Sequence, residues 1–172
     1  MNLISFPAKD EYHPFYQNYI DKVTGRSVIQ QLKTQRDRMI HTIAKIQNMD
    51  FSYAPGKWTI RELLVHLLDA EMIFVYRALV VSRGETQPLI SYDQEIYNAN
   101  DFSHMDRLYI NEMYKSVRNT TLLFFENLKE DHSVRRGTVM GNVISVRALA
   151  HIIAGHERHH MDILTVRYGI DL

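Results

Sequence analysis

The sequence predicts an all-α chain, a four-helix bundle with long crossover connections. Three observations carry that prediction. Four segments of about 20 to 25 residues repeat apolar side chains at intervals of three and four. Capping and stop signals bound them, and two of the connections between them are too long for tight hairpins. The 172 residues show no internal repeat, and an apolar fraction of 45% is enough to build one core, so a single domain over 1–172 is expected.

Residues 1–24 form a mixed leader with Pro7, Pro14 and five aromatics, expected to pack across the domain with a short helical piece around 14–20. Helix one is predicted from about Gly25 to Asn48, where Val28, Ile29, Leu32, Met39, Ile43 and Ile46 line one face. Pro55 and Gly56 then stop the chain and aim the next helix. Thr59 with Glu62 reads as a capping box, opening a second helix of about 60–83 that ends on Gly84. Residues 85–102 form a long connection with a short helix expected near 93–98. Helix three is predicted from about Met105 to Leu128, with Leu108, Met113, Val117, Leu122 and Phe125 among its apolar positions. It offers no metal ligand, although Tyr109 and Tyr114 could turn a hydroxyl inward. In the next connection Gly137 and Gly141 mark turns, VRRGTVMGNVI is expected to be extended, and Ser145 is the cap expected for helix four.

Helix four carries the chemistry. Leu149 to Arg167 holds His151, His156, His159 and His160, four of the nine histidines. On a wheel of about 100° per residue, Leu149, Ile152, Ile153, His160 and Ile163 fall within about 60° of His156. His159 lies about 60° to one flank and His151 about 140° away, which makes both poorer ligands. A lone histidine on an apolar face is most often a hydrogen-bonded core residue. A pair at i and i+4 is a standard way for one helix to hold a divalent metal. Helix two adds a third imidazole, because His66 sits mid-stripe among Leu63, Ala70, Ile73 and Phe74. His66, His156 and His160 would converge from two helices, and three histidines with open positions is the build of a catalytic zinc site.

Composition narrows the partners. Twenty basic and twenty acidic side chains leave no net field to favour nucleic acid or an anionic membrane, so a small-molecule substrate is expected. With no cysteine, a metal must be held by histidine and carboxylate, and any sulfur nucleophile must come from a low-molecular-weight thiol cofactor. The N-terminus has no apolar signal segment and no run is long enough to span a membrane, which points to the cytoplasm.

His156-Glu157-Arg158-His159-His160 is also a literal HExxH, but only twelve residues follow His160, and Ile163 and Val166 stand where an extended peptidase motif needs Gly and His. Glu157, at the edge of the stripe, is a solvated charge, a general base or a group that supports the ligands from behind, and Asp69 is the other carboxylate near the proposed ligands. Arg77 and Arg167, each about 20° from a proposed ligand on its wheel, could anchor an anionic substrate, or else snorkel to the bundle ends.

Trp58-Thr59-Ile60-Arg61-Glu62 through His66-Leu67-Leu68-Asp69-Ala70-Glu71, then Tyr76-Arg77-Ala78-Leu79, Arg83-Gly84, Tyr92-Asp93 and Ala154-Gly155-His156-Glu157-Arg158-His159-His160 together resemble the DinB-like superfamily. The resemblance covers about 50–172. It implies a four-helix bundle, often dimeric, that binds zinc or nickel through one histidine on helix two and two on helix four, here His66, His156 and His160. The activities it implies are uneven, spanning bacillithiol-type thiol transfer, thiol-dependent isomerisation and metal-dependent hydrolysis. Beside a metal-dependent thiol transferase or hydrolase stands the alternative of a non-catalytic bundle with a structural metal, or a dimeric interaction module.

Overall fold

A computed structural model describes residues 4–25 and 27–171. Four long helices form the bundle: α2 (Val28–Lys45), α3 (Ile60–Ser82), α5 (Arg107–Glu126) and α7 (Val146–Tyr168). The leader supplies 3-10 turns at Lys9–Glu11 and Pro14–Tyr16 and the single helical turn α1 (Gln17–Ile20). The connections supply α4 (Gln94–Asn98), α6 (Glu130–Ser133) and a hairpin of β1 (Arg136–Val139) and β2 (Asn142–Ser145), paired antiparallel with Arg136 opposite Ser145.

The ends of the helices follow their caps. The Thr59 hydroxyl accepts from the Glu62 amide while the Glu62 carboxylate accepts from the Thr59 amide, so the predicted box is present. Ser27, Asp106 and Ser145 cap α2, α5 and α7 in the same way, and α7 ends on Gly169 in the left-handed conformation. The expected segments near 14–20 and 93–98 are helical, and the stretch expected to be extended is the hairpin. Two pieces carry weak local signals and were not anticipated: the turn of α6, and an isolated parallel bridge between Leu89 and Val139 that ties the long connection to β1.

Packing departs from an up-down-up-down order. α3 lies against α7 and α5, and α2 lies against α5 and α7, so the consecutive helices α2 and α3 are diagonal to one another. Residues 46–59, expected as a simple turn, are therefore a crossover, pinned where the Ile60 and Arg61 amides donate to Phe51 and Met49 carbonyls. The apolar core falls into two clusters, one around Leu32, Phe74, Phe125 and Ile152, the other around Met39, Leu64, Ile110 and Leu164. Between them along the helices runs a buried polar waist of His66, Glu71, Arg118, Thr121, His156, Glu157 and His160. No helix among the described residues is long and apolar enough to cross a membrane.

The leader is held by a close approach. A Cβ at Gly155 would stand 1.8 Å from the Tyr19 carbonyl oxygen, so only glycine lets α1 lie on α7 at that point. One turn earlier the same side of α7 is covered too: His151 is buried, its ring 4.5 Å from that of Phe6 and its Nδ1 2.8 Å from the Arg147 carbonyl.

Candidate metal centre

α3 and α7 bring His66, His156 and His160 together, all buried, with their ligating nitrogens within 4.8 Å of one another. His66 Nε2 stands 3.1 Å from His156 Nε2, and His160 Nε2 stands 3.2 Å from the same atom. An imidazole nitrogen carries either one proton or one in-plane lone pair, so His156 Nε2 satisfies only one of these two contacts. His160 Nδ1 is buried without a partner. Burial pushes His66 down to about 4 and His156 down to about 3, with neighbouring imidazoles adding to the fall for His156. His160 is pushed well below the usual histidine range for the same reasons. All three rings are thus neutral at pH 7, the form that ligates a metal.

These nitrogens fit a small divalent cation. A tetrahedral ion with bonds of about 2.0–2.1 Å to nitrogen separates its ligand atoms by about 3.3 Å, close to the observed 3.1 and 3.2 Å. A cation would give each of the three lone pairs a partner at once. The ring of Trp58, just before α3, lies 5.0 Å from His66, and Tyr19 from the leader lies 5.3 Å from His156. Phe74, 6.1 Å from His156, completes an aromatic wall. A cavity of about 450 Å³, lined by Phe15, Tyr16, Tyr19, Phe74 and Tyr92, reaches His156. A larger cavity of about 660 Å³ around Gln31, Arg38 and Arg158 has none of the three histidines in its lining.

His151 and His159 stay outside the cluster among the described residues, as their wheel positions require. His159 is half-buried, its ring 5.5 Å from that of Tyr19. Glu157 is not a solvated charge: it is 2% exposed, its Oε1 accepts from the Tyr114 hydroxyl at 2.9 Å and its Oε2 from Arg118. With both oxygens engaged it is poorly placed to take a proton from a substrate. Asp69 is half-buried, and burial raises its carboxyl above the usual range. One turn beyond His66 on α3, its charge adds to the burial that pushes the Tyr92 hydroxyl in the cavity wall up to about 12. Arg77 does not snorkel; it is buried and donates to the Ile90 carbonyl at 2.8 Å. Arg167, by contrast, is exposed at the end of α7. Tyr109 is exposed, whereas the Tyr114 hydroxyl does turn inward.

Sequence reasoning missed the other half of the waist. Arg118 on α5 is 0% exposed and grips Glu71 through Nε at 2.8 Å and Nη2 at 2.7 Å. Nη2 also reaches Glu157, Nη1 donates to the Leu32 carbonyl, and Thr121 donates to Glu71 at 2.6 Å. One guanidinium faces two carboxylates, and one of these, Glu157, adjoins His156 in the chain. Burial raises the Glu157 carboxyl above the usual range, against the pull of Arg118. The signal was present: Ile110, Tyr114, Arg118 and Leu122 form one row at four-residue spacing, so Arg118 interrupts an apolar stripe.

Comparisons with known proteins bear on the fold and the family. A curated protein of Oceanobacillus iheyensis that bears the name "Putative metal-dependent hydrolase" is 22% identical over 147 residues, covering 82% of this chain and 85% of its own. Among solved structures, YfiT from Bacillus subtilis superposes with a TM-score of 0.73 at 19% identity, over 84% of this chain and 87% of that one. It is described as a probable metal-dependent hydrolase with an unusual four-helix bundle topology. The DinB-like protein YjoA, also from Bacillus subtilis, superposes with a TM-score of 0.59 at 21% identity, over 81% and 87%. At these identities the solved structures speak to the fold alone. The family model of the DinB superfamily matches residues 31–164, which include all of α3, α5 and the three histidines, and the chain belongs to that superfamily.

Proposed function

We propose that this protein is a metal-dependent enzyme acting on a small organic molecule, a hydrolase in its first reading. The observation that carries it is the triad of buried imidazoles whose ligating nitrogens crowd together, with His156 Nε2 facing two others and able to satisfy only one. The names of the relatives support the same reading. A divalent ion there, zinc or nickel, would supply a Lewis acid that acidifies a water or thiol and polarises a carbonyl. His66, His156 and His160 hold it; the aromatic wall of Trp58, Tyr19 and Phe74 keeps bulk water from the ring nitrogens. Asp69, one turn from His66 with its carboxyl raised by burial, is the general base of this proposal.

Thiol transfer is the second reading. It is favoured by the engagement of both Glu157 oxygens, because a bound thiolate needs less help from a general base than water does. A low-molecular-weight thiol would enter through the 450 Å³ cavity.

Elemental analysis tests the common core of both readings. The wild type is expected to carry about one equivalent of zinc or nickel. His66→Ala, His156→Ala and His160→Ala should lose it and His159→Ala should keep it. A wild type that takes up neither ion overturns the enzyme reading. Asp69→Asn then separates the two reactions: it should abolish ester hydrolysis while leaving thiol transfer largely intact.

A further inference from the structure

Two guanidiniums are buried among the described residues, and one meets no carboxylate there. Arg118 meets two carboxylates. Arg77, 4% exposed, meets none among the described residues. Its Nη2 donates to the Ile90 carbonyl, its Nε is buried with no partner, and its Cζ lies 5.8 Å from the ring centre of Phe74 and 5.9 Å from that of Tyr92. A carbonyl and two ring faces are thin compensation for a full positive charge out of water.

Arg77 also lines a cavity of about 250 Å³ whose other walls, including Val143, Ile144 and Leu149, are mostly carbon. Phe15, Tyr16 and Met140 line both this cavity and the one that reaches His156. The rings that hold Arg77, Phe74 and Tyr92, are walls of that second cavity. Arg77 and His156 thus stand on two adjoining linings joined by these shared residues. His66 and Arg77 are eleven residues apart on α3, about 16 Å along the helix.

We propose that Arg77 is the anion-recognition residue of this site, taking the carboxylate or phosphate of a substrate whose reacting group sits at the histidines. The substrate class is an organic anion with an apolar spacer of several bonds between its charge and its reacting end. A guanidinium grips either anion by paired hydrogen bonds, and the unpartnered Nε is the donor left free for one. The reacting-group half rests on the proposed function; anion capture by Arg77 does not.

The test has an arm for each half. In metal-free, nitrogen-15-labelled protein, the Arg77 Nε–H signal, assigned by its loss in Arg77→Met, is followed during titration with hexanoate, hexyl phosphate and hexanol. One or both anions should shift it and bind about tenfold tighter to the wild type than to Arg77→Met, while hexanol does neither. The anion that binds names the source. Equal binding of hexanol and the anions, or an anion preference that survives Arg77→Met, overturns the proposal.

The second arm uses the zinc-loaded protein with 6-mercaptohexanoate and 6-mercaptohexanol. A carboxylate preference of about tenfold, lost in Arg77→Met, joins the two ends. Anion capture in the first arm without any thiol binding in the second keeps Arg77 as an anion site and overturns the histidines as the reacting end.

Discussion

Two buried polar clusters share the waist of this bundle, and they are built on opposite principles. In the Arg118 cluster every nitrogen of the guanidinium has an oxygen partner, and Glu71 and Glu157 are further held by Thr121 and Tyr114. In the histidine cluster three ring nitrogens crowd together, His156 Nε2 can satisfy only one of its two neighbours, and His160 Nδ1 behind them has no partner. Both pay for burial, but only the first recovers the cost within the chain. The closed cluster is scaffold and the open one is a site, and the two are adjacent because Glu157 and His156 are neighbours on α7. The scaffold fixes the helix that presents the ligands.

The sharpest way to break that contrast is to open the closed cluster. Arg118→Met leaves two carboxylates buried without a counter-charge and should cost about 3–5 kcal/mol in urea unfolding. Adding Glu71→Gln and Glu157→Gln should recover much of the loss. A single variant as stable as wild type would mean that the cluster is not the scaffold.

Acid sharpens the comparison next. Histidines outside the triad can also be buried: His151 is pushed down to about 4, foremost by burial, against about 6.5 in the unfolded chain. Between those two values the unfolded state holds the extra proton, so stability is full above pH 6.5 and falls as the pH drops toward 4. For His151 alone the fall is about 3 kcal/mol, and His151→Leu should remove that share from the pH profile of the metal-free protein. The triad loses stability in the same window and must release any metal there, since protons and metal compete for the same lone pairs.

How much of this was readable beforehand follows the same division. The helices were legible because their signals are local: the Thr59–Glu62 box, the Ser145 cap and the 3.6-residue stripes all act within a turn or two. The histidine triad was legible because i, i+4 spacing fixes where two imidazoles point, and a third on an apolar face has few other partners. The burial of Glu157 and Arg77 was not legible because it depends on other segments. Arg118 on α5 turns Glu157 from an edge charge into a core residue. The Ile90 carbonyl and Tyr92, on the connection after α3, hold Arg77 in place of solvent. The diagonal order of α2 and α3 has no local signal at all.

Gly155 tests the wall between site and solvent. Gly155→Ala drives a methyl group into the Tyr19 carbonyl and should cost about 2 kcal/mol of stability, the usual range for overpacking. The larger consequence is local, because Tyr19 must leave His156 and the near-ultraviolet dichroism of the tyrosines should change. Retained stability with an unchanged spectrum would show that the leader does not depend on this contact.

The smallest expected change decides the comparison most directly. In metal-free protein, His66→Leu removes a buried ring whose Nε2 competes with His160 for the single His156 Nε2, and puts a side chain of similar bulk beside Trp58. A polar group that is not satisfied contributes nothing by staying, so the substitution should shift stability by less than about 1 kcal/mol, and toward the folded state if at all. The same exchange at Arg118 should cost several kcal/mol. With zinc present the ranking at His66 should reverse, because the wild type gains the free energy of binding and the variant does not. A site is recognised here by its thermodynamic sign: the residues that serve a ligand are those whose loss the unliganded fold tolerates. If His66→Leu destabilises the metal-free protein as strongly as Arg118→Met, the triad is part of the scaffold and its lone pairs find their partners within the chain.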